Sequence, residues 1–274
     1  MAEGSAESST AAARRELLAR MLAEQGILPP GERSERRRGA AGLLSFAQER
    51  LWFLDQLDPG TSAYNIARAL RLSGRLDAKA LVGAVNEVVR RHEVLRANFP
   101  CVDGRPVAQV AVKLDLQVPL IDVSGLAPSL RGAGLRRVLN EKAAASFDLA
   151  RDALIRVDLI RLSKAEHVLL LVLHQMVCDG WSMSLFLRES AALYRSFIGA
   201  QAEKPPRLKL QYRDYAARQR AQLTTAAWRD QLAYWKSRLR GSSSAIALAT
   251  DHPRPSVRSW RGARLPLELP GALG

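Results

Sequence analysis

The chain has 274 residues, 47% of them hydrophobic and 25% charged, a composition typical of globular domains with ample sequence for a buried core. Its formal net charge of +14 raises the question of nucleic acid. The arginines are scattered apart from one cluster at Arg33, Arg36, Arg37 and Arg38, aromatic content is only 6%, and no recognition module interleaves the two, so a basic nucleic-acid-binding protein is the remote reading. A basic face suited to acidic protein partners is the milder consequence. The longest clean aliphatic run, Val168 to Leu173, is six residues, against about 20 for a membrane-crossing helix. The start, MAEGSAESST, lacks the basic and apolar regions of a secretory signal. Two cysteines, Cys101 and Cys178, have neither metal-like nor disulfide-framework spacing, and a reducing cytoplasm is the expected location.

In chain order, residues 1–42 divide into a polar start, a helix and a linker. Arg14 to Gln25 sets Leu17, Leu18, Met21 and Leu22 on one stripe ahead of Gly26, and ILPPGERSERRRGAAG follows as a Pro-, Gly- and Arg-rich linker. That leader helix is readable either as a loosely docked element or as one that packs on an upstream module. A helix is expected over Ser45 to Leu57 and a strand over Ile66 to Leu72. Asp77 is placed to cap a helix whose buried face is Leu81, Val85, Val88 and Val89. Strands are expected over Val107 to Val112 and over Leu154 to Leu162, the latter with alternation at Ile155, Val157 and Leu159. Val168 to Leu173 has the continuous apolar character of a strand buried on both faces. A turn at Asp179–Gly180 precedes a helix from about Ser184 to Ile198, closed by Gly199. A last amphipathic helix carries Trp228, Leu232, Trp235 and Leu239 ahead of Gly241. The mixture predicts an α/β or α+β fold without internal repeats.

Three segments read together carry a resemblance: SFAQERLWFLDQL (Ser45 to Leu57) with Tyr64-Asn65-Ile66 after it, RHEVLRANF (Arg91 to Phe99), and LHQMVCDGWSMSLFLRE (Leu173 to Glu189). In this order and spacing they resemble the first three core motifs of the condensation domains of nonribosomal peptide synthetases. LRLSGRLD, FDLARDALIRVDLIRL, LQYRDYAARQ, LAYWKSRL and LATDHPRPSVRSWRGARL agree with the same family, so the resemblance runs from about Leu43 almost to the end. The first motif and the stretch after the third resemble members that join two L-configured units.

The resemblance implies a two-layer α/β (α+β) sandwich, a chloramphenicol acetyltransferase-like lobe, followed by the start of a second similar lobe. Residues 1–42 are then the leader helix and linker, 43–204 the first lobe, and 205–274 the hinge and the incomplete beginning of the second. It implies an acyltransferase that forms an amide between a carrier-bound donor thioester and an acceptor amine. Substrates arrive on phosphopantetheine arms of upstream and downstream carrier domains, with an adenylation domain in the same synthetase. The domain itself then needs no cofactor or metal.

In the family, the third motif reads His-His-x-x-x-Asp-Gly at the centre of a tunnel between the lobes, and the second His orients or deprotonates the amine. An imidazole suits that task because its ordinary pKa of about 6.5 leaves it a neutral base near pH 7. Counting back from Asp179 puts Gln175 at the second-His position and His174 at the first. A carboxamide hydrogen-bonds but takes no proton in this range. If the family's His mainly positions the amine, Gln175 keeps a remnant of activity; if it acts as a base, the exchange implies a loss of order 10² to 10⁴ in rate. His174 has two readings, a buried histidine holding the turn through its ring nitrogens or a substitute base; alternation along the strand sets it facing away from Gln175. The resemblance further implies that Asp179 pairs with Arg91 in a buried ion pair that fixes the loop, and that Gly180 supplies a backbone shape a side chain would forbid; without the resemblance, Asp179 reads as a turn aspartate and Arg91 as a solvated helix charge. Arg96, the second arginine of RHEVLR, is either support for the site or an exposed helix-end charge. His92 reads as a packed helix terminus, Trp52 and Tyr64 as core aromatics, and His167 and His252 have no partner pattern. With Gln175 in the motif and the second lobe missing, the expectation is a catalytically defective chain with exposed apolar surface. The alternative is a noncatalytic module that binds or docks carrier proteins.

Overall fold

A computed structural model of the chain describes residues 42–201, 205–243 and 249–253. The leader helix expected over Arg14 to Gln25 lies outside the described residues. Residues through Ala233 group into one compact unit and those from Tyr234 into a second; each is described by itself.

The first helix, α1 (Phe46–Leu57), starts where Ser45 and Gln48 form a reciprocal capping box: the Gln48 amide donates to Ser45 Oγ at 3.2 Å and the Ser45 amide to Gln48 Oε1 at 3.1 Å. Strand β1 (Asn65–Ser73) leads to helix α2 (Ala78–Arg91), which Asp77 caps by accepting from the Ala80 amide. Its stripe of Leu81, Ala84, Val85, Val88 and Val89 is buried, as the 3.6-residue period requires. A 3₁₀ turn (Glu93–Arg96) and four two-residue strands follow, β2 (Ala97–Asn98), β3 (Cys101–Val102), β4 (Arg105–Pro106) and β5 (Gln109–Val110). The strand expected over Val107 to Val112 is thus reduced to Gln109–Val110 paired with β2, with Ala108 before it in an isolated antiparallel bridge to Gly42.

Strand β6 (Leu120–Asp122), helix α3 (Pro128–Ala144) and strand β7 (Ile155–Ser163) form a crossover: β6 pairs parallel with β7, which needs a connection of that length. The two-residue turn Lys164–Ala165 returns the chain as β8 (Glu166–His174), antiparallel to both β7 and β1. The sheet order is β1-β8-β7-β6. As the continuous apolar run predicts, β8 is buried on both faces from His167 to His174. One face carries Ile155, Val157 and Leu159 with their partners Leu173, Leu171 and Leu169, all core residues. The other carries Arg156, Asp158 and His174. There the end of α3 is fastened: Lys142 pairs with Asp158 at 3.3 Å, Arg156 donates to the carbonyls of Ala145 and Ser146, and the Asn65 side chain donates to those of Ala143 and Ala145.

Helix α4 (Gly180–Phe197) packs against α2, and its buried Met183, Phe186 and Leu193 join the same core. It starts four residues earlier than its sequence period indicates, because the Asp179 cap extends it to Gly180. Helices α5 (Tyr212–Gln222) and α6 (Ala226–Arg238) complete the described elements. In the second unit, Tyr234 and Trp235 meet edge to face at 5.3 Å. The result is the mixed α/β lobe the sequence leads one to expect.

Candidate functional site

Strand β8 ends at His174 and α4 begins at Gly180, so residues 174–180 join the most buried strand to that helix. His174 is 2% exposed. Its Nδ1 accepts the Met176 amide at 3.1 Å, which puts the ring proton on Nε2, and the rings of Tyr64 and Phe147 meet it edge-on at 6.2 Å. Burial pushes its pKa down to about 4. The imidazole is therefore neutral at pH 7, but its one basic nitrogen is occupied by the backbone. This is the geometry of the turn-holding reading. Gln175 is exposed; its amide donates to Tyr64 O at 2.9 Å, and its side chain makes no hydrogen bond among the described residues.

Asp179 and Arg91 do not form the ion pair that the resemblance implies. Asp179 is exposed, and its Oδ1 accepts the Ser182 amide at 2.8 Å and the Ser182 hydroxyl at 2.6 Å, capping α4. Those hydrogen bonds hold its carboxyl below the usual carboxylate range. A carboxylate spent on a helix N-terminus is already compensated. Arg91, 11% exposed in its side chain, turns instead to Glu189 on α4, with Nε to Oε2 at 3.0 Å. His92 Nε2 lies 3.1 Å from the same oxygen. Burial works to raise the Glu189 carboxyl, but the hydrogen bonds from Arg91 and His92 outweigh it and the net shift is downward. Arg91 also donates to Pro205 O at 3.3 Å and Pro206 O at 2.7 Å.

Gly180 likewise departs from its expected role. It does not adopt a positive φ, and a Cβ built there would meet no described atom within 4 Å. Its lack of a side chain leaves open space at the start of α4, with Trp181 next to it in sequence 83% exposed. Arg96 stands apart from residues 174–180: it donates to Val89 O and Arg90 O at the end of α2 and to Ala111 O and Val112 O beyond β5.

One further residue bonds to the segment directly and three brace the elements beside it. Gln48 is buried and its side chain donates to Met176 O at 3.1 Å. Ser45 Oγ is 2.9 Å from Tyr212 Oη on α5. Gln211 brackets the end of α2, accepting from the Glu93 amide at 3.1 Å and donating to Arg91 O at 3.0 Å. Glu189 had a legible signal, a carboxylate standing on the buried stripe Met183, Phe186, Leu193. Gln48 had the capping-box spacing Ser45-x-x-Gln48, and Gln211 had no signal beyond its place in the motifs. Cys178 is buried, and desolvation followed by the Asp179 charge pushes its thiol up to about 12, so it is no nucleophile near neutrality. A surface cleft of about 460 Å³ lies elsewhere, walled by Trp52, Asp55, Phe99, Phe147 and Asp148, and no residue of 174–180 lines it. Among the described residues no acidic, His and Cys cluster could hold a metal ion, and no helix is long and apolar enough to cross a membrane.

Comparison with known proteins matches this arrangement to a family. The sequence model of the Condensation domain family covers residues 41–273. The chain is 43% identical over 230 residues to a linear gramicidin synthase of Brevibacillus parabrevis, spanning 84% of this chain and 4% of that protein. It is 40% identical over 231 residues to the phosphinothricin tripeptide synthetase PhsC of Streptomyces viridochromogenes, covering 84% of this chain and 21% of the relative. Among solved structures, the X-domain from teicoplanin biosynthesis superposes with a TM-score of 0.70 at 30% identity over 84% of this chain. The first condensation domain of the CDA synthetase does so with 0.64 at 26% identity over 77%. The chain spans about half the length of these solved chains, 50% and 53%, and only a small part of the curated synthetases. With the family model matched over most of its length and the motif elements placed as described, the chain belongs to the condensation-domain family of nonribosomal peptide synthetases.

Proposed function

We propose that the chain is the front lobe of an amide-forming condensation domain whose own catalytic position is defective. Residues 43–204 form the lobe and 205–274 the hinge and the start of a second lobe; donor and acceptor arrive on phosphopantetheine arms of carrier domains in a cytoplasmic synthetase that also holds an adenylation domain. In the reaction, the acceptor nitrogen attacks the thioester carbonyl, its proton passes to a base, and the carrier thiol leaves. The observation that carries the reading is the pair at the end of β8. Gln175 presents an exposed carboxamide that takes no proton, and His174 is buried with its basic nitrogen bonded to the Met176 amide. His174 is consequently the holder of the turn and not a substitute base.

The test is Gln175→His in the full-length synthetase, with carrier-bound product followed by mass spectrometry. A gain of order 10² to 10⁴ in amide formation is expected for restoring a positioned base. No gain would assign the lobe to the second reading, a noncatalytic module that docks partner proteins. The exposed, non-titrating Gln175 favours that alternative specifically, and one structural neighbour is an X-domain in complex with OxyB, 30% identical with a TM-score of 0.70.

A further inference from the structure

Helix α5 contributes nothing to the third motif, yet its first residues reach that motif by two separate routes. On one, Tyr212 Oη is 2.9 Å from Ser45 Oγ, Ser45 and Gln48 cap α1 reciprocally, and Gln48 Nε2 donates to Met176 O at 3.1 Å. Met176 is the residue whose amide meets His174 Nδ1. On the other, Gln211 Nε2 donates to Arg91 O at 3.0 Å, Arg91 and His92 hold Glu189, and Glu189 lies on the helix whose first turn contains Gly180. The α5 end of the first route is itself fixed: Gln219 Oε1 accepts the Phe46 amide at 3.0 Å, Arg220 donates to Leu44 O at 2.8 Å, and Ala216 is fully buried. On the first route Ser45 and Gln48 are buried and only the Tyr212 end is 36% exposed; on the second Glu189 is buried and Gln211 and Arg91 are half-buried, so the inner bonds of each route are shielded from water that would otherwise replace them.

We infer that Gln211 and Tyr212 are positioning residues for the 174–180 segment, the first acting through Arg91 and Glu189 and the second through Ser45 and Gln48. That this segment is the working part of the lobe rests on the condensation reading; the mechanical link does not. A chain of hydrogen bonds demonstrates coupling only when both ends respond together.

Residue-resolved amide hydrogen exchange on the full chain tests the link. Tyr212→Phe removes a single hydroxyl and is expected to speed exchange of the Met176 amide about fivefold, the value of one hydrogen bond, relative to interior β8 amides such as Val172. Gln211→Met is expected to do the same at Ser182. Adding Tyr212→Phe to Gln48→Leu should leave Met176 no faster than Gln48→Leu alone, since both act on one route. The inference is overturned if Met176 and Ser182 are unchanged, if every amide including Val172 speeds by one factor, or if the double variant is multiplicative. Amide formation by the Gln175→His synthetase is read separately: its absence beside a faster Met176 amide would remove the condensation reading and leave the positioning link standing.

Discussion

His174 ends a strand that is buried from His167 onward, and the aromatic rings of Tyr64 and Phe147 close over its imidazole. Desolvation penalises the charged form, which takes the pKa down to about 4 from the 6.5 of a free imidazole. The sign of the linkage follows. Between pH 6.5 and 4 the unfolded chain binds a proton that the folded chain refuses, so this residue adds no penalty above pH 6.5 and destabilises the fold as pH falls through that window. The loss between pH 7 and 5 is about 2 kcal/mol. Urea unfolding at the two pH values checks it, with His174→Asn as reference: the wild-type chain should lose about 2 kcal/mol more than the variant over that interval. Equal losses would mean that the ring is reached by water. This residue's burial was legible in the sequence from the apolar run before it and from strand alternation. What was not legible was its acceptor bond from Met176, because a turn two residues long can meet either ring nitrogen. The same limit applied to Asp179. The motif resemblance alone implied an ion pair, whereas a carboxylate three residues ahead of Ser182 has a nearer partner in the first turn of its own helix.

At the level of elements, the helix and strand periods were readable wherever one face is apolar, as in α2, β7 and β8. They were weak where an element is polar on most sides. Among its described side chains helix α3 buries none fully, and α5 buries only Ala216, so neither announces itself by a stripe. Helix α5 is held by specific hydrogen bonds from Gln211, Tyr212, Gln219 and Arg220, and such bonds leave no period in a sequence. Helix α4 shows how differently two carboxylates can serve one element. Asp179 caps its exposed first turn, and Asp179→Ala should cost about 1 kcal/mol. Glu189 is buried between two basic side chains, and Glu189→Leu leaves Arg91 buried without a counter-charge at a cost of about 3 kcal/mol. Denaturant midpoints at constant m value separate the two. Equal costs would contradict the assignment of the buried pair to Glu189, and a larger cost at Asp179 would restore the pairing that the motif resemblance implied.

Across the whole molecule, charge and apolar exposure pull in opposite directions. Trp181 is 83% exposed, Phe53 and Leu57 stand one turn apart on α1 at 57% and 66%, and Trp228 and Leu232 are half-exposed one turn apart on α6. A folded monomer seldom leaves so many large apolar side chains to water without a surface that covers them. The net charge of +14 repels a second copy at the same time. Added salt screens that repulsion, with a Debye length of about 10 Å at 0.1 M and 3 Å at 1 M, and leaves the apolar attraction in place. Self-association of the 274-residue chain should therefore increase between 50 and 500 mM NaCl, seen as a rising weight-average mass in sedimentation equilibrium. Binding to nucleic acid would run the other way, because counterion release makes it fall steeply over the same range. A chain that stays monomeric at both salt concentrations would show that the exposed aromatics are isolated side chains and form no patch. A mass that falls with salt would return the basic residues to the centre of the question, since only attraction between opposite charges weakens in that direction.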